Sequence, residues 1–175
     1  MFLANPDRFL RFTRPLTPVL WVLAAVLLAV ATWFSFTAPE DYQQGDTVRI
    51  MFVHVPAATL GLAAYGALGV SSFFALVFRH PLADAAARAA AVLGLVGLVN
   101  LPIVKFSVDW WNTLHQPASL LRADGPAMPA VFLAPLLTMM AAWGLVFLAV
   151  WLTAIRTEIV RRRVLSIRAR RALEA

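Results

Sequence analysis

Four long runs of apolar residues, separated by short polar stretches, dominate the pattern of this chain. They cover approximately residues 18–36, 55–78, 89–106 and 127–155. At 1.5 Å per residue, a helix over each run is about as long as the roughly 30 Å core of a bilayer, or longer. The pattern therefore predicts an all-α, polytopic membrane protein with about four transmembrane helices.

The composition supports a membrane protein over a soluble one. Hydrophobic residues make up 61% of the chain and charged residues 14%, whereas a soluble domain is nearer half apolar and a quarter charged. The formal net charge of +6 does not indicate nucleic-acid binding, because the arginines cluster beside the ends of the apolar runs. Arginines at those positions orient membrane helices, and the bilayer is the partner that they imply.

The arginine distribution also predicts the topology. Arginines are frequent before the first run, between the second and third, and after the fourth. Around the other two loops the only cations are Arg49, Lys105 and Arg122. The positive-inside rule then places both termini in the cytoplasm and both loops outside, in the periplasm of a bacterium. We expect one transmembrane helical domain over residues 1–155 and a basic cytoplasmic tail over 156–175.

A histidine in a His-x-Pro-Ala segment follows the first outer loop, at His54. Another such histidine, His115, lies within the second outer loop. Proline is favoured in the first turn of a helix, so Pro56 predicts that His54 lies at the mouth of the second helix. Two imidazoles at one membrane surface can hold a metal from two sides. The chain has no cysteine, which excludes thiolate ligands and covalent haem attachment. The hypothesis is a haem site, and the alternative is a pair of interfacial histidines that only form hydrogen bonds.

Other side chains on the outer side suit a bound haem. Trp110 and Trp111 precede His115 and could pack against a planar macrocycle, although paired tryptophans at a membrane surface also serve as belt anchors. The three outer cations, Arg49, Lys105 and Arg122, are the candidates to pair with haem propionates.

Two blocks of the sequence resemble a known family. The first contains APEDYQQG (38–45), Arg49-Ile50 and HVPAA (54–58), and the second contains NLPI (100–103) and SVDWWNTLHQ (107–116). Both resemble the outer loops of the haem exporter protein C, or CcmC-type, family of cytochrome c maturation. The resemblance extends over nearly all of the chain.

The resemblance implies a protein of the bacterial inner membrane that acts in haem delivery and is not an enzyme. It implies that haem b is held transiently and without a covalent bond at the periplasmic face, for transfer to a membrane-anchored haem chaperone. His54 and His115 match the family's axial-ligand positions. The ATP-dependent transporter subunits of the maturation complex are further implied partners, and no nucleotide-binding loop occurs in this sequence.

The sequence departs from the family in its middle. Family members have six spans, and a tryptophan-rich outer loop between their middle spans presents the haem. Here residues 79–84 resemble the end of the family's second span and lead almost directly into 89–94, which resemble the start of its fifth. Two spans and the presenting loop are therefore expected to be missing, and the loss of two spans keeps both histidines on the same side.

Alternatives remain open from the sequence. A haem-free structural or assembly subunit of the same complex would keep the spans without the cargo. A b-type electron-transfer cytochrome would normally place its histidines within the spans. A small-molecule transporter would be expected to have broken helices near the middle of the membrane, where Asn100 and Pro102 are the only hint of one.

Overall fold

The protein is all-helical over the residues described by the computed structural model, which are 5–91, 95, 106, 123, 125 and 128–174. Helix α1 covers Pro6–Thr37, a 3-10 turn covers Asp46–Ile50, α2 covers Met51–Phe78, and α4 covers Ala130–Glu174. Residues 81–91 are also helical and are called α3. The predicted fold class is confirmed.

Three helices in the described part of the chain are long and apolar enough to cross a membrane. They are Pro6–Thr37, the continuous helical stretch Asp46–Phe78, and Ala130–Glu174. The predicted spans 18–36 and 55–78 lie within the first two. Of the predicted third span, 89–106, the described residues are 89–91, 95 and 106, so this span stays a prediction.

The start of α2 differs from the prediction. The helix begins at Met51, directly after the 3-10 turn, so Pro56 is an internal residue and not part of the first turn. A proline inside a helix has no N–H to donate to the carbonyl four residues earlier, here that of Phe52. Membrane helices tolerate such breaks when neighbouring groups compensate. The end of α2 at Phe78 coincides with the predicted end, and Arg79 follows in the left-handed conformation.

Helix α4 is the longest element and the centre of the packing. Its 45 residues correspond to about 67 Å at 1.5 Å per residue, roughly twice the bilayer core. The helix continues without a break through the boundary at residue 155 between the predicted fourth span and the predicted tail. The tail is thus helical to Glu174, and the assignment of a separate cytoplasmic segment stays a prediction.

In the part of the chain that the structure describes, the helices meet in three apolar clusters along α4. At one end, Phe132 and Leu136 pack with residues that precede and begin α2. In the middle, Met139 and Ala142 pack against Ala31 of α1. At the other end, residues of α4 such as Ile155 and Ile159 pack against Ala85 and Ala89 of α3 and the first turns of α1.

The clusters give the bundle two chemically different ends. We call the end that contains residues 5–14, 79–88 and 156–174 the basic end. There Asp7 pairs with Arg163, and Asp84 with Arg162, so the start of α1, the start of α3 and the tail of α4 are held together. We call the opposite end, with residues 38–56 and 128–136, the loop end. The arrangement agrees with the predicted grouping of arginine-rich segments on one side.

Candidate functional site

The loop between α1 and α2 is a compact hydrogen-bonded turn. The carboxylate of Asp41 accepts from the backbone N–H groups of Gln43 and Gln44, both at 2.9 Å. Backbone hydrogen bonds also join Asp41 and Gly45 in both directions, at 3.2 and 2.8 Å. Gly45 has a φ of +56°, a value that glycine adopts without steric cost. These local bonds give the loop a defined shape above the start of α2.

Arg49 joins this loop to the end of α1. Its Nη2 lies 2.9 Å from the carboxylate of Asp46 and donates to the carbonyl of Ala38 at 3.4 Å. Within the described part of the chain, its Nε is buried and has no hydrogen-bond partner. A buried guanidinium N–H without a partner is costly. The Arg49 side chain as a whole is 36% exposed, so an additional anionic group would meet the exposed part of the guanidinium.

An apolar cluster supports the loop from below. Ala38 and Val48 from the loop pack with Phe52 of α2 and with Phe132 and Leu136 of α4. Phe52 and Leu136 are 0% exposed. The cluster therefore fixes the first turns of α2 relative to α4, and with them the position of His54.

His54 is the fourth residue of α2 and is half-buried. It shares a helical face with Ala58, Gly61 and Tyr65, which follow at intervals of three or four residues. Phe52 and Val55, which belong to the supporting cluster, point in other directions around the helix. His54 thus lies at the loop end without being part of the apolar cluster.

One cavity among the described residues does not lie beneath His54. It has a volume of about 530 Å³ and lies between α2 and α4, where Pro56, Leu60 and Ala63 face Gly144 and Phe147. At 3.6 residues per turn, these α2 residues lie on roughly the opposite side of the helix from His54. A ligand of His54 would therefore sit on a different face of α2 from this cavity.

Of the predicted site residues, Arg49 and His54 both lie at the loop end, Arg49 in the 3-10 turn and His54 in the first turn of α2. The others, Lys105, Trp110, Trp111, His115 and Arg122, lie outside the described residues, so their places in a site stay predictions. The role of Asp46 as the carboxylate partner of Arg49 was not predicted from the sequence. Its spacing of three residues before Arg49, which brings side chains together on a helical turn, could have indicated the pair.

A family model for heme exporter protein C matches residues 1–91 and 84–170 of the chain. The chain belongs to the heme exporter protein C family. Heme exporter protein C of Bradyrhizobium diazoefficiens is 40% identical over an alignment that covers 97% of this chain and 89% of the relative. Its counterpart in Paracoccus denitrificans is 31% identical over an alignment that covers 95% of this chain and 96% of the relative. The Escherichia coli protein of the same name is 28% identical over an alignment that covers 72% of this chain and 78% of the relative.

The family and the candidate spans confirm the predicted location in the bacterial inner membrane.

The comparison with family members also locates an internal difference in length. The Bradyrhizobium alignment runs over 233 residues, whereas 97% of this 175-residue chain is about 170, so some 60 aligned positions have no counterpart here. The two family matches overlap at residues 84–91, which is where the sequence predicts the missing segment. Sixty residues are enough for two helices of about 20 residues and a connecting loop.

Proposed function

We propose that this chain holds haem at the periplasmic face of the inner membrane through His54 and His115 and passes it to a membrane-anchored haem chaperone. Haem is the cargo, and the chain makes or breaks no covalent bond in it. The observation that carries the proposal is the position of His54. It is half-buried near the start of a helix that is long and apolar enough to cross a membrane, with Arg49 in the preceding 3-10 turn.

Each named residue has a distinct task in this proposal. His54 and His115 supply imidazole nitrogens to the iron from two sides. Arg49 binds a propionate with the exposed part of its guanidinium, since guanidinium groups pair strongly with carboxylates. Lys105 and Arg122 would add positive charge near the second propionate, and Trp110 and Trp111 would pack against the porphyrin plane.

The shortened middle of the chain predicts weak retention of the cargo. The sequence resemblance implies that the absent segment includes a tryptophan-rich haem-presenting loop. Burial of the porphyrin contributes roughly 25 cal/mol for each Å² of apolar surface, and here two tryptophans would replace a larger platform. Other subunits of the maturation complex, including an ATP-dependent transporter, would supply the energy and complete the delivery path.

The test is a haem titration of the purified full chain, followed by its Soret absorbance. We expect wild-type binding that is weaker than that of a full-length relative, and at least a tenfold loss of affinity for His54→Ala and for His115→Ala. His80→Ala is the matched control, because His80 lies at the basic end and accepts a hydrogen bond from the N–H of Ala83. Wild-type affinity in both His54→Ala and His115→Ala would contradict the proposal. A wild-type affinity equal to that of a full-length relative would contradict the predicted weak retention.

A second candidate function is a haem-free structural or assembly subunit of the same complex. The observation that favours it is the difference in length: some 60 aligned positions of the Bradyrhizobium relative have no counterpart in this chain, and the two family matches meet at residues 84–91. This alternative predicts that the purified chain binds no haem and that His54→Ala has no effect on cytochrome c maturation in cells.

A further inference from the structure

An open groove runs along α1 at the basic end. It is a shallow, open depression, and all of its lining residues belong to this one helix: Arg11, Phe12, Pro15, Leu16 and Val19. From Arg11 to Val19 the groove follows α1 for about 12 Å, at 1.5 Å per residue. Its charged end is at Arg11, and its apolar end enters the predicted first span, which begins at about residue 18. We propose that this groove binds one anionic phospholipid of the inner leaflet.

The packing of α1 fixes the direction in which the groove faces. Thr13 is 2% exposed, and its hydroxyl accepts from Nη1 of Arg156 on α4 at 2.9 Å. Phe12 and Val19, by contrast, are more than half exposed. The contact with α4 thus turns the groove away from the helix bundle and toward the lipid, where an acyl chain can lie against Phe12, Leu16 and Val19.

The charges around Arg11 favour an anionic headgroup. Asp7, one turn before Arg11, pairs with Arg163 of α4. Among the described residues, no carboxylate lies within 4.0 Å of the Arg11 side chain or of the Arg14 side chain. An exposed guanidinium beside a membrane surface attracts anionic lipid, and its planar donors match a phosphate.

Pro15 adds a second polar feature at the charged end of the groove. It has no N–H to donate to the carbonyl of Arg11, four residues earlier. The guanidinium of Arg11 can bind the phosphate, while the carbonyl freed by Pro15 can accept from a headgroup hydroxyl. Phosphatidylglycerol has both groups, and phosphatidylcholine has no headgroup hydroxyl and no net negative charge.

The experiment is native mass spectrometry of the purified full chain in mild detergent, with phosphatidylglycerol or phosphatidylcholine added. We expect phosphatidylglycerol to bind more tightly, and Arg11→Gln to weaken it about fivefold, the change expected for one arginine at a membrane surface. Leu16→Trp keeps the charge but fills the groove, and is expected to weaken binding as much. The matched control is Arg168→Gln, which removes an exposed arginine of the α4 tail and should change binding by less than twofold.

Several outcomes would overturn the proposal. Equal losses in Arg11→Gln and Arg168→Gln would show only diffuse attraction between a basic protein and an anionic lipid. Wild-type binding by Arg11→Gln, or equal affinity for the two lipids, would remove the headgroup site. Displacement of phosphatidylglycerol by an equal concentration of inorganic phosphate would show a simple anion site. Circular dichroism of each variant confirms that a loss of binding is not a loss of helix, and Arg11→Lys should partly restore binding.

Discussion

The guanidinium of Arg156 donates to the hydroxyl of Thr13 at 2.9 Å and so joins α4 to α1 at the basic end. The same hydroxyl donates to the carbonyl of Phe9 at 2.7 Å. Thr13 is buried, and Arg156 is half-buried. The contact therefore connects the first turns of the chain to the point where α4 leaves the predicted membrane span.

Loss of this contact is expected to destabilise the bundle. In Thr13→Ala, Arg156 loses an acceptor in a partly buried place, which typically costs about 1–3 kcal/mol of unfolding free energy. Equilibrium unfolding in mixed detergent micelles measures this. The control is Thr17→Ala, because among the described residues the Thr17 hydroxyl donates within its own helix, to the carbonyl of Thr13. Equal losses in the two variants would contradict the role assigned to Arg156.

The sequence located the membrane-crossing parts of the fold better than the ends of its helices. Hydropathy identifies the part of a helix that is apolar enough for the lipid core, so it predicted a span over 18–36. Helix α1 begins earlier, at Pro6, because the side chain of Asn5 caps it by accepting from the N–H of Asp7 at 2.9 Å. The rule that proline starts a helix failed at Pro56. Within a bundle, packing of neighbours such as Phe52 can hold a helix through an internal proline, and local sequence does not show that packing.

The residue types of the site could be predicted from the sequence more readily than the contacts that these residues make. Charge counting singled out Arg49, and the His-x-Pro-Ala segment singled out His54. The bond from Arg49 to the carbonyl of Ala38 depends on how the end of α1 returns to the start of α2. It is a tertiary contact between residues 11 positions apart, and no periodicity in the sequence encodes it.

The topology can be tested directly, because the chain contains no cysteine. We expect an impermeant maleimide to label Gln43→Cys and Ser119→Cys in intact spheroplasts, since both positions belong to loops predicted to be periplasmic. Arg168→Cys, in the tail of α4, should be labelled only after lysis. Opposite sidedness of positions 43 and 119 would exclude a haem site shared by the two loops.

Glu158 makes the stability of the basic end dependent on pH. It lies just beyond the predicted fourth span. Arg161 hydrogen-bonds its carboxylate at 2.8 Å and, together with a further bond from Arg162, lowers the pKa of Glu158 to about 2 despite partial burial. A carboxylate whose pKa is lower in the folded state than in the unfolded state adds stability at pH values above its ordinary pKa of 4.5. This stability is lost as the pH falls toward 2.

The thermal midpoint of the wild type and of Glu158→Gln, measured against pH, checks this sign. The wild type should be the more stable protein above pH 5, and its advantage should shrink as the pH falls from about 4.5 to about 2. Glu174→Gln at the exposed end of α4 is the control and should follow the wild type. A difference between wild type and Glu158→Gln that stays constant over this range would contradict the assigned ion pairs.

Binding of cargo by Arg49 can be separated experimentally from its structural role. If its guanidinium binds a haem propionate, Arg49→Gln should lower haem affinity about tenfold or more, since hydrogen bonds to charged groups contribute about 1.5–3 kcal/mol. Asp46→Asn removes the carboxylate that lies 2.9 Å from Arg49. It leaves the guanidinium in place with less competition, so haem affinity should stay equal to that of the wild type or rise.

We expect the two variants to differ if Arg49 contacts the cargo. If the pair served the fold of the loop alone, Asp46→Asn and Arg49→Gln would break the same contact and lower haem affinity together. Arg79→Gln is the matched control, because Arg79 caps the other end of α2 and should not affect haem. Soret titration of the four proteins measures the affinities, and equal losses in Asp46→Asn and Arg49→Gln would assign Arg49 to the loop and not to haem.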